Sequence, residues 1–235
     1  MLQSNIISNL NKTLRSNFAS QLDGSGGGGP VVPTIEFVAQ AAAAGPNGGT
    51  TPAIDATTAT LAVVVISYYA TSNPTVSDSE GNIWTPLVPG AYSAANCRMY
   101  YCYLSGKSAT HTFTAGEVAS FCALRVLLFK NALGDGFDIQ EHGEGGSLTT
   151  LSSGLLTPAV PKSLFVSALC NFTETIEPTY PVEFIGLWTA YSPGNYLALG
   201  MAYKIATDGA AINPSWAWTS GNAAAAVGAV FKPQS

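Results

Sequence analysis

Hydrophobic residues recur along the chain in two rhythms, and the change of rhythm divides it. In the first stretch Ile6, Leu10, Leu14, Phe18 and Leu22 stand four apart, with Ile7 beside them. Positions four apart drift only about 40° around an α-helix, so these side chains form one broad apolar stripe. Asn5, Asn9, Asn11, Lys12, Arg15 and Asn17 fall largely on the other faces. Ser4 supplies an N-cap and "DGSGGGGP" stops the helix. A helix this short is marginal alone in water. Its stripe therefore needs a surface: its own domain, sister copies or another protein. Ile7, Leu10 and Leu14 keep a short heptad spacing that suits a trimer, and Asn17 and Gln21 interrupt it.

From Thr34 the period falls to two. "TIEFVAQ" places Ile35, Phe37 and Ala39 on one face, and "LAVVVISYYA" reads as a buried strand. Further runs follow: "NIWTPLV", "CRMYYCYL", "HTFTA", "FCALRVLLF", "SLFVSALCNF", "FIGLWTAY", "YLALGMAYKI", "SWAWTS" and "AAVGAVF". Roughly eleven strands between Gly, Pro, Asn and Asp clusters argue for an all-β sandwich.

The strands also repeat. "LAVVVISYYATSNPT" from Leu61 is echoed by "LFVSALCNFTETIEPT" from Leu164, so Tyr69 matches Phe172. Trp84 then aligns with Trp188, "HTFTAG" with "WAWTSG", and both halves close on Phe-Lys, at Phe129-Lys130 and Phe231-Lys232. Two similar sheets packed face to face bury what either would leave bare. The pattern predicts one jelly-roll-like β-sandwich over 31–235, built from pseudo-repeated halves at about 55–130 and 160–232. A short N-terminal amphipathic helix and a glycine-rich tether, residues 1–29, precede it.

Composition narrows the function. Only 10% of residues are charged, against about 25% in ordinary soluble domains, so neutral polar residues must cover the surface. The nine basic residues are scattered and the net charge is −5, which argues against a nucleic-acid partner. No apolar run reaches the roughly 20 residues of a membrane helix. "MLQSNIISNL" lacks the basic and apolar regions of a secretory signal. The four cysteines form no CxxC pair and read as buried thiols; a Cys102–Cys122 bridge is left open.

Candidate chemistry is sparse. His111 alternates with Phe113 along a strand. His142 lies in an acidic glycine-rich segment read as a loop, where Asp135, Asp138, Glu141 and Glu144 are the best candidates for a Ca²⁺ site. That segment lacks EF-hand spacing, and a solvated loop is the plainer reading. Glu174, Glu177 and Glu183 sit in a proline-rich turn region. No G-x-S-x-G elbow, Walker lysine or H-E-x-x-H occurs, so neither an enzyme nor a cofactor is expected. Tyr92, Tyr191 and Tyr196 fall in equivalent loops of the two halves. They either stack on a surface glycan or cap the sandwich end. The strand tryptophans are expected in the core or on a half-buried sheet face.

The segment from "TLAVVVISYY" through "VSDSEGNIWTPL" to "MYYCYL", with its echo "YLALGMAYKIATDGAAINPSWAW", resembles a β-sandwich module of tailed-phage virion proteins. The type is that of capsid decorations and head fibres, and it also occurs in bacterial surface proteins. The resemblance spans about residues 55–232. It implies a displayed structural or adhesive head with no catalytic residues to carry over. Two functions are therefore expected. One is a virion-surface protein, assembled in the host cytoplasm and attached through its N-terminal arm to the major capsid or another virion protein, as a homo-oligomer. The other is a glycan- or receptor-binding module of a tail fibre or bacterial surface protein, active in host attachment.

Overall fold

The computed structural model describes residues 33–234 except 47, 70–72, 94, 118–120, 173–176 and 192–196. The stripe Ile6, Ile7, Leu10, Leu14, Phe18 and Leu22 lies outside the described residues, as do Tyr196 and the side chain of Tyr191.

The described chain is all-β. Its first half contains β1 (Glu36–Pro46), β2 (Gly49–Thr50), β3 (Leu61–Tyr68), β4 (Thr75–Asp78), β5 (Thr85–Pro86), β6 (Gly90–Tyr92), β7 (Ala95–Tyr103), β8 (Phe113–Gly116) and β9 (Phe121–Lys130). The second contains β10 (Ala132–Ser152), β11 (Leu164–Asn171), β12 (Ile185–Tyr191), β13 (Leu197–Ile205) and β14 (Ser215–Pro233).

Each half makes its own antiparallel sheet, and the strand orders correspond. The first sheet runs β1-β9-β3-β7-β5, with β6 also on β7; the second runs β10-β14-β11-β13-β12. Leu61 pairs with Phe129 and Tyr103, and Leu164 pairs with Phe231 and Ile205. A small sheet, β2-β8-β4, stands beside the first. The counterparts of β2 and β8 in the second half are continuous with the long strands β10 and β14, and that of β4 is the isolated bridge Thr179–Ala217.

The two tryptophan matches need correction. Pro86 pairs with Tyr100, and Gly186 pairs with Ala202, so Trp84 corresponds to Phe184, not Trp188. Ile54 bridges His111 as Leu156 bridges Ile212, so His111 corresponds to Ile212, not Trp216. Both errors are slides of four residues. An even slide keeps every side chain on the same face of a strand, so the alternating pattern alone does not reveal it.

Three layers of side chains explain the continuous apolar strands. Leu61, Val63 and Val65 face Leu164, Val166 and Ala168 in the core between the sheets. Ala62, Val64 and Ile66 bury their other face beneath Phe113, Ala115, Ala56 and Ala59. On the far side, Leu169, Ala224 and Ala226 are covered by Trp216 and Trp218. Each large side chain so enclosed contributes about 1.5–3 kcal/mol.

Contacts across the core are reciprocal. Phe37 stacks on Tyr203 and Phe137 stacks on Tyr101, both with centroids 5.2 Å apart. Phe37 and Phe137 are equivalent by register, as are Tyr101 and Tyr203. Ser67 Oγ donates to Cys170 Sγ at 2.8 Å, and Tyr69 stacks on Phe172 at 5.9 Å. A contact between equivalent residues lies on a two-fold axis, so these pairs mark an internal pseudo-dyad. Buried Arg125 adds a polar tie between the sheets, donating to the Gln40 side chain and to the Trp188 carbonyl.

Two further expectations meet the structure here. "GDGFDIQEHGEGG" is part of strand β10, not a loop, because its backbone pairs along β14 from Phe137–Phe231 to Gly145–Ala224. Cys102 and Cys122 are free thiols opposite Ala62 and Tyr68, about 20 Å apart along β3. No bridge joins them. Burial pushes both thiols up to about 11, leaving them protonated and unreactive at neutral pH.

Candidate functional site

The turn "DSEGNIW" is organised by one carboxylate. Asp78 Oδ1 accepts the Glu80 amide at 2.9 Å and the Asn82 amide at 3.1 Å, while Gly81 takes a φ of 70°. Asp78 Oδ2 accepts the Asn82 Nδ2 group at 3.2 Å and the Trp84 indole N–H at 3.0 Å. Asn82 Oδ1 in turn accepts the amides of Ser105 and Gly106 at 3.0 and 2.9 Å, stapling this turn to the one after β7. The Asp78 carboxylate is wholly shielded from solvent, with His111 Nε2 3.6 Å away. His111 lies flat on Phe113 with centroids 4.5 Å apart, and neither ring nitrogen has a hydrogen-bond partner.

This network fixes the indole of Trp84, which also meets Phe113 edge-on at 5.9 Å. Beside it opens a groove of about 460 Å³ whose walls include Trp84, Pro86, Arg98, Tyr100, Val76 and Glu117. Tyr100 is pinned by its hydroxyl, which donates to the Pro74 carbonyl. Burial pushes that phenol up to about 12, partly opposed by Arg98, so it stays a donor at neutral pH. The Arg98 guanidinium lies 5.3 Å from the Tyr100 ring centroid, and its Nε donates to the Leu87 carbonyl at 3.3 Å. Among the described residues Arg98 makes no ion pair.

The second half carries the counterpart of this place in a different state. Ladder register sets Gly200 at the position of Arg98, Ala202 at that of Tyr100 and Gly186 at that of Pro86. Across the small sheet, Tyr180 stands for Val76 and Trp216 for Ala115. The Tyr180 ring lies over Gly186, and a Cβ on Gly200 would come 2.8 Å from the Trp216 ring. Trp216 and Tyr180 meet at 5.6 Å, and the Trp216 indole donates to Ser167 Oγ at 2.8 Å. The chain's own aromatic rings thus fill in one half the place that is a groove in the other.

The residues singled out from sequence lie elsewhere. Tyr92 ends β6, is 41% exposed and covers Gly146, where a Cβ would come 2.6 Å from its ring. Tyr191 ends β12 on the other sheet, so the two tyrosines belong to different sheets. Asp135, Asp138, Glu141 and Glu144 are strung along β10, where Glu144 accepts the Ala91 amide at 2.7 Å and Asp138 the Ala159 amide at 2.6 Å. Among the described residues no three His, Cys, Asp or Glu side chains gather as a metal site. Sequence reading passed over Arg98, Tyr100 and Glu117. The available signal was Arg98 itself, a single cation inside the apolar run "CRMYYCYL".

No protein-family model matches the chain, and no curated protein or solved structure matches it significantly.

Proposed function

We propose that the chain is a structural protein of a bacteriophage particle, displayed on the exterior as a capsid decoration or head fibre and held there by its N-terminal arm. The observation that carries this reading is the layout of the sequence, in which a striped segment and the run Gly26–Gly29 precede the sandwich body that begins at Pro33. A body whose two main sheets are covered on both faces needs no further partner to complete its core. A striped segment joined to it by glycines is suited to attachment, and the tether leaves the body free to project. The arm's partner in this reading is the major capsid or another virion protein, and its short heptad run supports a homo-trimer. Four buried free thiols fit assembly in a reducing cytoplasm before service outside.

Removing residues 1–29 tests the proposal. The full chain is expected to sediment with purified particles and the shortened chain to stay in the supernatant. Equal sedimentation of both sinks the attachment role.

A second reading, recognition of a surface glycan during host attachment, is favoured by the groove at Trp84 and Arg98. That location differs from the tyrosine loops first expected to make the contact.

A further inference from the structure

We infer that the groove beside Trp84 binds an acidic sugar, a pyranose ring bearing a carboxylate, with Arg98 as its anchor. The argument begins with the internal twin. Where the second half places Trp216 and Tyr180 against Gly200 and Gly186, the first half has Ala115 and Val76 against Arg98 and Pro86. Arg98, Tyr100 and Pro86 fill part of that place from the opposite wall, but Val76 is smaller than Tyr180, and a groove remains against Trp84, Pro86 and Arg98 that a flat ring from another molecule can enter. Its volume of about 460 Å³ falls within the range of small-ligand sites.

The lining selects the kind of ring. A further aromatic ring could stack on the Arg98 guanidinium, as Tyr100 already does, but would bring it no counter-charge. A carboxylate on the ring offers Arg98 a paired, charge-assisted contact. The apolar face of a pyranose can lie on the Trp84 indole. Its hydroxyls then face Asn73, Thr75 and the Glu117 carboxylate, all exposed at the rim. Glu117 disfavours a carboxylate on its own side of the groove, which orients the ring carboxylate toward Arg98.

The site is also set before a ligand arrives. Asp78 holds the indole, the Pro74 carbonyl holds Tyr100, and the Leu87 carbonyl holds Arg98. Side chains already ordered lose little further freedom on binding.

This inference rests on the recognition reading and is independent of particle display. Loss of sugar binding with particle attachment retained overturns the groove assignment alone; the converse overturns the display reading alone.

The test is titration of the full chain with digalacturonic acid, neutral galactobiose, open-chain mucic acid and indole-3-acetate, read by calorimetry and tryptophan fluorescence. Digalacturonic acid is expected to bind at least about tenfold more tightly than each of the others. The accompanying fluorescence change disappears in Trp84→Phe. Arg98→Gln weakens binding by about tenfold or more, with the unfolding temperature unchanged. Val76→Tyr, which supplies the ring that Tyr180 provides in the twin, blocks binding. If Val76→Tyr does not fold, Arg98→Gln decides alone. Equal binding of mucic acid or galactobiose overturns the inference, as does tighter binding of indole-3-acetate. So does an unaffected Arg98→Gln, or no binding of digalacturonic acid at about 10 mM.

Discussion

Asp78→Ala is expected to destabilise the sandwich by about 3 kcal/mol, because it removes a shielded carboxylate that four donors share, among them the part-buried Trp84 indole and Asn82 side chain. The carboxylate accepts the indole N–H of Trp84, the Asn82 side chain and the amides of Glu80 and Asn82. Water can reach the outer amides, since Glu80 is exposed. It cannot replace the shielded contacts to Trp84 without opening the packing on Phe113. For a domain of this size the loss corresponds to a fall of roughly 10 °C in the thermal midpoint. Asp78→Asn keeps the shape but turns an amide group toward other donors, and an intermediate fall is expected. A midpoint for Asp78→Ala within about 2 °C of the parent would show that the turn does not depend on this carboxylate.

Gly200→Val is expected to cost a similar amount by a different route. The added Cβ would lie 2.8 Å from Cζ3 and 3.2 Å from Cη2 of Trp216. Overpacking of this kind costs typically about 1–3 kcal/mol when neighbours can shift. Trp216 is fully buried and its indole donates to Ser167, which also bonds Ser153 at 3.1 Å. Moving the ring therefore breaks a buried network as well, raising the expected cost to about 3–5 kcal/mol. The comparison that makes this informative is Arg98→Gly in the first half. That change removes a half-buried cation with its bond to the Leu87 carbonyl and its contact with Tyr100, and leaves a strand glycine, at about 1–2 kcal/mol. Urea unfolding of the two variants measures the contrast. Equal losses would mean that the twin places are packed alike, contrary to the filled and open states described above.

Much of the fold was legible because its central strands are buried on both faces. β3 and β11 read as unbroken apolar runs, and their shared order betrayed the duplication. The register within each half was not legible. Trp84 and Trp188 alternate correctly with their neighbours, as do His111 and Trp216, so a slide of four residues satisfied every local rule. β10 was misread for another reason. Its glycines and acids have poor strand propensity, and only the long ladder to β14 holds them extended.

The groove was hidden for both reasons together. It depends in part on Val76 standing where the twin has Tyr180. An unfilled place is visible only after the halves are aligned by their hydrogen-bonded ladders. Loop tyrosines drew attention because exposed aromatics are conspicuous in a sequence, whereas a half-buried tryptophan held by a shielded carboxylate is not. The N–H contact to Asp78 explains why "GNIW" follows "DSE", and the turn that carried the resemblance also builds one wall of the groove.

The central claim, that the arm belongs to the particle and the sandwich to the outside, is tested most directly by labelling intact phage particles with antibody raised against residues 33–235. Gold particles are expected on the outer face of the shell or its fibres, and the label is expected to vanish from particles assembled with chain lacking residues 1–29. Label that appears only after particles are disrupted, or none on particles at all, would contradict it.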